Sequence, residues 1–129
     1  MMRTTNRSVV VGWGKNEFGQ AGCLHRSSIC RLPQIIPELN GAHVTSMACG
    51  DLFCIALAEG EGVWSWGRQA SKAQRPCLLP FTRHKQILQV AAGQFHVLAR
   101  LAHGVVLAWG SNERGQLGTR GVAVAVEPV

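Results

Sequence analysis

Four groups of residues in this 129-residue chain carry side chains that could do chemistry. The first is Cys23-x-His25 with Cys30, three metal-ligand types close together. Structural zinc takes four ligands, commonly from C-x2–4-C pairs, so three at irregular spacing read as loop residues without a metal. The second is His96 with Cys54 or Cys49, a thiol and an imidazole that could form a nucleophile pair. Neither an orienting acid nor a nucleophile elbow accompanies them, so no enzyme of that kind is expected. The third is the glycine set Gly14, Gly19, Gly22 and Gly110, Gly115, Gly118. A phosphate cradle needs G-x-G-x-x-G opening a helix, or a P-loop lysine. Both are missing, so the glycines read as turn formers and no cofactor is expected. The fourth is the basic set Arg26, Arg31, Lys72 and Arg75, suited to DNA phosphates or an acidic protein face.

Composition sets the surroundings of these groups. The net charge of +6 allows acidic partners, although a solvated basic surface is its simplest meaning. With 47% hydrophobic and 16% charged residues, the chain has the makings of a packed core. The five cysteines are odd in number and lack paired spacing. No signal peptide is visible, and no stretch approaches the roughly 18 to 20 apolar residues of a membrane span. Reduced thiols in the cytoplasm or nucleus, and no membrane contact, are therefore expected. Cys49 and Cys54 fall in or beside strands and read as small core residues.

The elements that must position these residues repeat. Ala91 to Gly118 holds a small-residue step, an apolar run, a turn at His103-Gly104, a second apolar run ending at Trp109, and a glycine-punctuated polar loop. Two short apolar runs joined by a glycine turn read as an antiparallel hairpin. Gly50 and Gly93, Trp66 and Trp109, Pro33 and Pro76, and Pro37 and Pro80 are each 43 positions apart. Asn16, Glu17, Gly19, Gln20 and Gly22 recur as Asn112, Glu113, Gly115, Gln116 and Gly118. A period in this range marks solenoids, propellers or arrays. A helix over Val90 to Val106 is disfavoured, because Gly93 and Gly104 inside it would cost about 1 kcal/mol each.

The spacing predicts strands at Ser8 to Trp13, Val44 to Ala48, Phe53 to Ala58, Val63 to Trp66, Ile87 to Ala91, Phe95 to Ala99 and Val105 to Trp109. Phe53 to Ala58 is nearly all apolar, as in a strand covered on both faces. Gly14 to Leu32 reads as a long loop, and Arg68 to Arg75 as a short one that has lost the N-E-x-GQ-x-G signature. The proline-fenced piece Pro33 to Leu39 suits an outer strand. The paired Asn and Gln of the loops are expected to bond the loop backbone.

The motif WG-x-N-E-x-GQ-x-G at Trp13 to Gly22 and Trp109 to Gly118 resembles the repeat of the regulator of chromosome condensation family. So do the A-x-G steps at Ala48 and Ala91 and the G-x-x-H of Gly93 to His96. The likeness runs over residues 8 to 129. It implies a seven-bladed β-propeller frame, hence an all-β chain and a partial propeller of antiparallel blades. About two complete repeats and pieces of two more are present. The expected division is a loose end at 1–7, a partial repeat and loop at 8–32, full repeats at 33–75 and 76–118, and the start of another at 119–129. Trp13, Gly14, Gly50, Trp66, Gly67, Gly93, Trp109 and Gly110 are its structural landmarks, with the tryptophans packing blade on blade. A propeller closes with four or more blades, so the chain is expected to be a piece of a longer propeller, or else to self-associate.

In the family's exchange-active members, the resemblance places acids and histidines at the central mouth, against a small GTPase. The matching positions here make Asp51, Phe53, Gln94 and His96 candidate partner-binding residues. Leu52 and Phe95 stand just before Phe53 and His96, where acids would suit exchange. The basic candidates are Arg26, Arg31, Lys72 and Arg75, read as a rim of equivalent loops. The expected function is a non-catalytic protein-interaction scaffold. Nucleotide exchange on a Ras-like GTPase is the alternative, and contact with chromatin or nucleic acid through the basic loops is the next.

Overall fold

The computed structural model describes residues 8–23, 27–69, 72–118 and 124–125. They form three antiparallel sheets and almost no helix. The first sheet pairs β1 (Val11–Lys15) with β2 (Ile29–Ile35). The second runs β3 (Val44–Cys49), β4 (Phe53–Ala58), β5 (Gly62–Gln69), β6 (Lys72–Leu78) in that spatial order. The third runs β7 (Ile87–Ala92), β8 (His96–Leu101), β9 (Val106–Ser111), β10 (Val124–Ala125) in the same sense. The last two are up-and-down four-stranded sheets of the kind that make propeller blades.

Local chemistry explains each blade. In β4 every residue but Cys54 is buried, so this strand is covered on both faces. Alternation appears in β3, where Val44, Ser46 and Ala48 are half-buried and Thr45, Met47 and Cys49 are exposed. Pro33 and Pro76 fall in β2 and β6, the last strands of their sheets among the described residues. The ladder shifts register around both prolines, where a residue without an N–H costs no pairing. One-turn 3-10 helices, Pro37–Leu39 and Pro80–Thr82, follow these strands at the same spacing. Pro80–Thr82 is pinned by Thr82, whose Oγ1 accepts from Val63 N at 2.9 Å and donates to Leu79 O at 2.6 Å.

Two cores lie between the sheets. Val10, Ile36, Leu39, Ala56 and Trp66 pack the first sheet on the second. Phe53, Ile55, Leu57, Val63, Ile87, Val90, Val97, Ala99 and Trp109 pack the second on the third. Trp66 and Trp109 end equivalent strands and are each 1% exposed. Burial of such rings is the largest single apolar contribution a side chain makes here. Phe81 meets Trp109 edge-on, with ring centroids 5.2 Å apart.

Several expectations need correction. The first strand is shifted to Val11–Lys15, and β2 begins at Ile29, so the loop after Trp13 is shorter than the polar sequence implies. Arg68 to Arg75 is mostly strand: β5 continues to Gln69 and β6 starts at Lys72. Backbone pairing extends these strands through polar residues, which periodicity does not register. Trp13 is 60% exposed, since no sheet among the described residues covers its face.

Candidate functional site

The turns between the first and second strands of the two four-stranded sheets form a seam. Residues 50–52 join β3 to β4, and residues 93–95 join β7 to β8. In each turn the glycine N–H closes a ladder bond, Gly50 to Phe53 O and Gly93 to His96 O, both at 2.9 Å. The aromatic three residues on lies flat against that glycine. A Cβ at Gly50 would strike the Phe53 ring, and one at Gly93 the His96 ring. This close approach explains the A-x-G step followed by a ring. The carbonyls of Leu52 and Phe95 accept from the return strands, from Arg68 N at 2.7 Å and Ser111 N at 2.8 Å. Asp51 N then donates to Gln94 O at 2.9 Å, stitching one turn to the other.

The seam exposes Asp51, Gln94 and Phe95, the last at 46%, and leaves His96 half-buried. Phe53 is different. It is 1% exposed, so it supports the seam from the core and offers nothing to a partner. Sequence reasoning treated Phe95 only as a missing acid. Its exposure beside two polar residues follows from the shared turn geometry, which the equivalence to Leu52 already contained.

The basic candidates do not make a rim of loops. Arg26 lies outside the described residues, as does His25. Arg31 is exposed on β2, and Lys72 and Arg75 belong to β6 rather than to a loop. The guanidinium of Arg75 is already engaged. It donates to both Glu38 carboxylate oxygens at 3.0 and 2.7 Å, to Gly22 O at 2.8 Å and to Cys23 O at 2.7 Å. Its work is to tie the outer strand of the second sheet to the loop of the first. Lys72 and Arg75 sit on β6, separated by β5 from β4 and the β3–β4 turn, and Arg31 sits on β2 of the first sheet.

The glycine loops are built as expected of turns. Asn16 Oδ1 accepts from Ala21 N at 3.2 Å, and Asn112 Oδ1 from Leu117 N at 2.9 Å. Gln20 Oε1 accepts from Phe18 N at 2.9 Å, and Gln116 Oε1 from Arg114 N at 2.8 Å. The loop then presents Gln20 O outward, where it accepts from Trp66 Nε1 at 3.0 Å and from Cys54 Sγ at 3.3 Å. Arg68 lies over the Phe18 ring, 5.0 Å from its centroid.

The cysteines separate into two pairs and Cys77. Cys23 and Cys30 are buried with Ala21, and their sulfurs come to bonding contact across Cα atoms 6.7 Å apart. Reduced loop thiols were the expectation at these positions; Cys30 instead lies in β2 and meets Cys23. Cys49 and Cys54 face each other across β3 and β4, with sulfurs 3.1 Å apart. Sequence reasoning missed this pair, because only the strand register brings it together. Burial pushes the Cys77 thiol up. The His96 ring lies against Gly93, and Cys54 lies against Cys49 and Gln20 O. At the far end of the blades, a cavity of about 490 Å³ runs between Leu57–Gly62 and His84–Leu88.

Comparison with known proteins follows the same lines. Residues 10–57 and 87–116 each match the regulator of chromosome condensation (RCC1) repeat. The human E3 ubiquitin-protein ligase HERC2 is 35% identical over 133 residues, covering 96% of this chain and 3% of the ligase. The secretion-regulating guanine nucleotide exchange factor of Bos taurus is 32% identical over 132 residues, covering 90% of this chain and 28% of that protein. The chain thus spans a small part of the relatives it matches. The crystal structure of Kap60 bound to yeast RCC1 (Prp20) superposes with a TM-score of 0.80 at 20% identity, over 97% of this chain and 33% of that one.

Proposed function

The chain belongs to the regulator of chromosome condensation repeat family, and on that premise we propose that it is a non-catalytic protein-interaction module. The observation that carries this reading is the stitched seam. One backbone bond joins the two turns and sets Asp51, Gln94 and the half-exposed Phe95 side by side on a frame held by two cores. An aromatic anchor flanked by polar groups is what protein interfaces use, and loops on a rigid scaffold are the usual carriers. The exposed apolar side chains of the first sheet, Val11, Trp13, Ile29, Leu32 and Ile35, suit packing against a further blade. The proposed setting is the cytoplasm or nucleus.

A photo-crosslinking residue at Gln94 or Phe95 is expected to trap a protein partner in cells, and one at Arg31 is not. Protein adducts only from Arg31 would move the interface to the outer strands. Adducts to nucleic acid from Arg31 would support the reading of chromatin contact. That reading has less behind it, since Arg75 is committed to Glu38.

A second reading, exchange on a Ras-like GTPase, draws on the relative named a guanine nucleotide exchange factor. The seam would then wedge the nucleotide site open, with no covalent chemistry of its own. In a nucleotide-release assay over a panel of small GTPases, the scaffold reading expects no acceleration. Acceleration that Asp51→Ala removes would establish exchange instead.

A further inference from the structure

One cluster of reactive side chains plays no part in the seam: Cys49 on β3 and Cys54 on β4. They are directly opposed in the ladder. The next pair out, Gly50 and Phe53, is hydrogen-bonded through Gly50 N to Phe53 O. Pair types alternate in an antiparallel ladder, so Cys49 and Cys54 form a non-hydrogen-bonded pair, where Cα atoms approach to about 4.5 Å and side chains are closest. That separation falls within the range of about 4.4 to 6.8 Å that disulfides span. The two sulfurs are already 3.1 Å apart. Closure therefore needs side-chain rotation and no movement of the strands. Cys49 is exposed and Cys54 is half-buried, which gives one thiol to meet a reagent and one to resolve it. The third sheet has Ala92 opposite Val97 at the corresponding place, so the pair belongs to the second sheet alone.

We infer that Cys49 and Cys54 form a reversible dithiol–disulfide modification site, oxidised by thiol–disulfide exchange with a low-molecular-weight disulfide such as glutathione disulfide. The Cys49 thiolate attacks one sulfur of the small disulfide. That S–S bond breaks, and the first small thiol leaves with a proton from solvent. Cys54 gives its own proton to solvent and attacks the Cys49 sulfur of the mixed disulfide. The second small thiol leaves and is protonated in turn. Two protein thiols are oxidised and one small disulfide is reduced to two thiols. Ionisation favours this order. The hydrogen bond from Cys54 holds the Cys49 thiol down to about 7, against a smaller opposing effect of burial. The same bond, and then burial, raise Cys54. Oxidation also removes the single Cys54 S–H proton, which Cys49 Sγ and Gln20 O share, leaving that carbonyl to Trp66 Nε1. The modification thus acts on the contact between the first sheet's loop and the second sheet.

Trypsin releases Leu32 to Arg68 as one peptide that holds Cys49 and Cys54 and no other cysteine. The full chain is equilibrated over a series of glutathione redox ratios, quenched with acid and alkylating agent, and that peptide weighed. The series is run once in buffer and once in guanidinium. The native peptide is expected to lose two hydrogens at a ratio at least about tenfold more reducing than the denatured one. Coincident midpoints, or a native peptide that stays a dithiol throughout, would overturn the inference. In Cys54→Ser, one glutathione should remain on Cys49, whereas the unaltered chain should carry none. Equal retention in both chains would mean a single reactive thiol and would also overturn it.

Discussion

The two interfaces between sheets share one apolar plan and differ in how their tryptophans are held. Between the first and second sheets, Trp66 Nε1 donates to Gln20 O, and Arg75 reaches across to Glu38, Gly22 O and Cys23 O. Between the second and third, Trp109 is equally buried, yet its Nε1 has no partner among the described residues. The strap there is smaller: Ser46 Oγ accepts from Val90 N at 3.2 Å, alongside the Asp51 to Gln94 bond. The difference traces to the preceding loop. The N-E-x-GQ-x-G loop ahead of Trp66 folds on its own Asn and Gln and offers a carbonyl. The segment between Trp66 and Trp109 has lost that signature and runs on as strand. Apolar spacing therefore makes the blade, and the polar loop decides how firmly the next blade is tied to it.

The largest expected effect tests the shared plan. Trp66→Ala and Trp109→Ala should each cost about 3–5 kcal/mol in urea unfolding, as deletions of fully buried rings do. Trp13→Ala, at an exposed ring in the equivalent strand position, should cost about 0.5 kcal/mol or less. A cost at Trp13 matching the other two would break the comparison by showing its face to be covered. The next effect is the strap. Arg75→Ala should cost about 1–3 kcal/mol, more than Glu38→Gln, because two backbone carbonyls lose their donor as well as the half-exposed carboxylate.

Smaller effects sharpen the contrast between blades. His84 and His103 take positive φ, 62° and 68°, where the second sheet has Gly41 and Gly60 at the equivalent turns. His84→Gly and His103→Gly should each stabilise the chain by about 0.5–1 kcal/mol, the left-handed penalty less the added freedom of glycine when unfolded. Thermal unfolding would show this as a rise in Tm, and a fall would mean that the histidine side chains contribute contacts. The last is pH-dependent. Cys49 is an acid whose folded pKa is lowered, so its contribution is present above the ordinary thiol range and is lost as pH falls through about 7. Its alkylation should be half-maximal near pH 7. Cys54→Ala removes the donor and should move the midpoint up into the ordinary thiol range. An unmoved midpoint would show that Cys54 does not hold the thiolate.

Much of this frame was legible in the sequence, for identifiable reasons. Trp66 and Trp109, Pro33 and Pro76, and the strand Phe53 to Ala58 declare themselves through residue types with few other uses at that spacing. The loop bonds of Asn16, Gln20, Asn112 and Gln116 follow from the turn chemistry of those side chains. Strand ends were not legible, because Lys72 to Arg75 enters the ladder through backbone groups that every residue carries. Exposure was legible only where the neighbour repeats. Phe53 reads as a mouth residue until the ring is seen lying on Gly50, and Trp13 reads as core until its face is seen uncovered. The Cys49–Cys54 pair needs the hairpin register to the residue, and a one-residue slip would separate the two thiols.

The claim that the polar loop fixes how the following tryptophan is held has one direct measurement. Trp66→Phe and Trp109→Phe remove similar ring area from similarly buried sites, so the difference between their unfolding free energies isolates the indole N–H. Trp66→Phe should cost about 1–2 kcal/mol more, since it strips a donor from Gln20 O, while Trp109→Phe removes an N–H that has no partner among the described residues. Equal costs, or a larger cost at Trp109, would contradict the account.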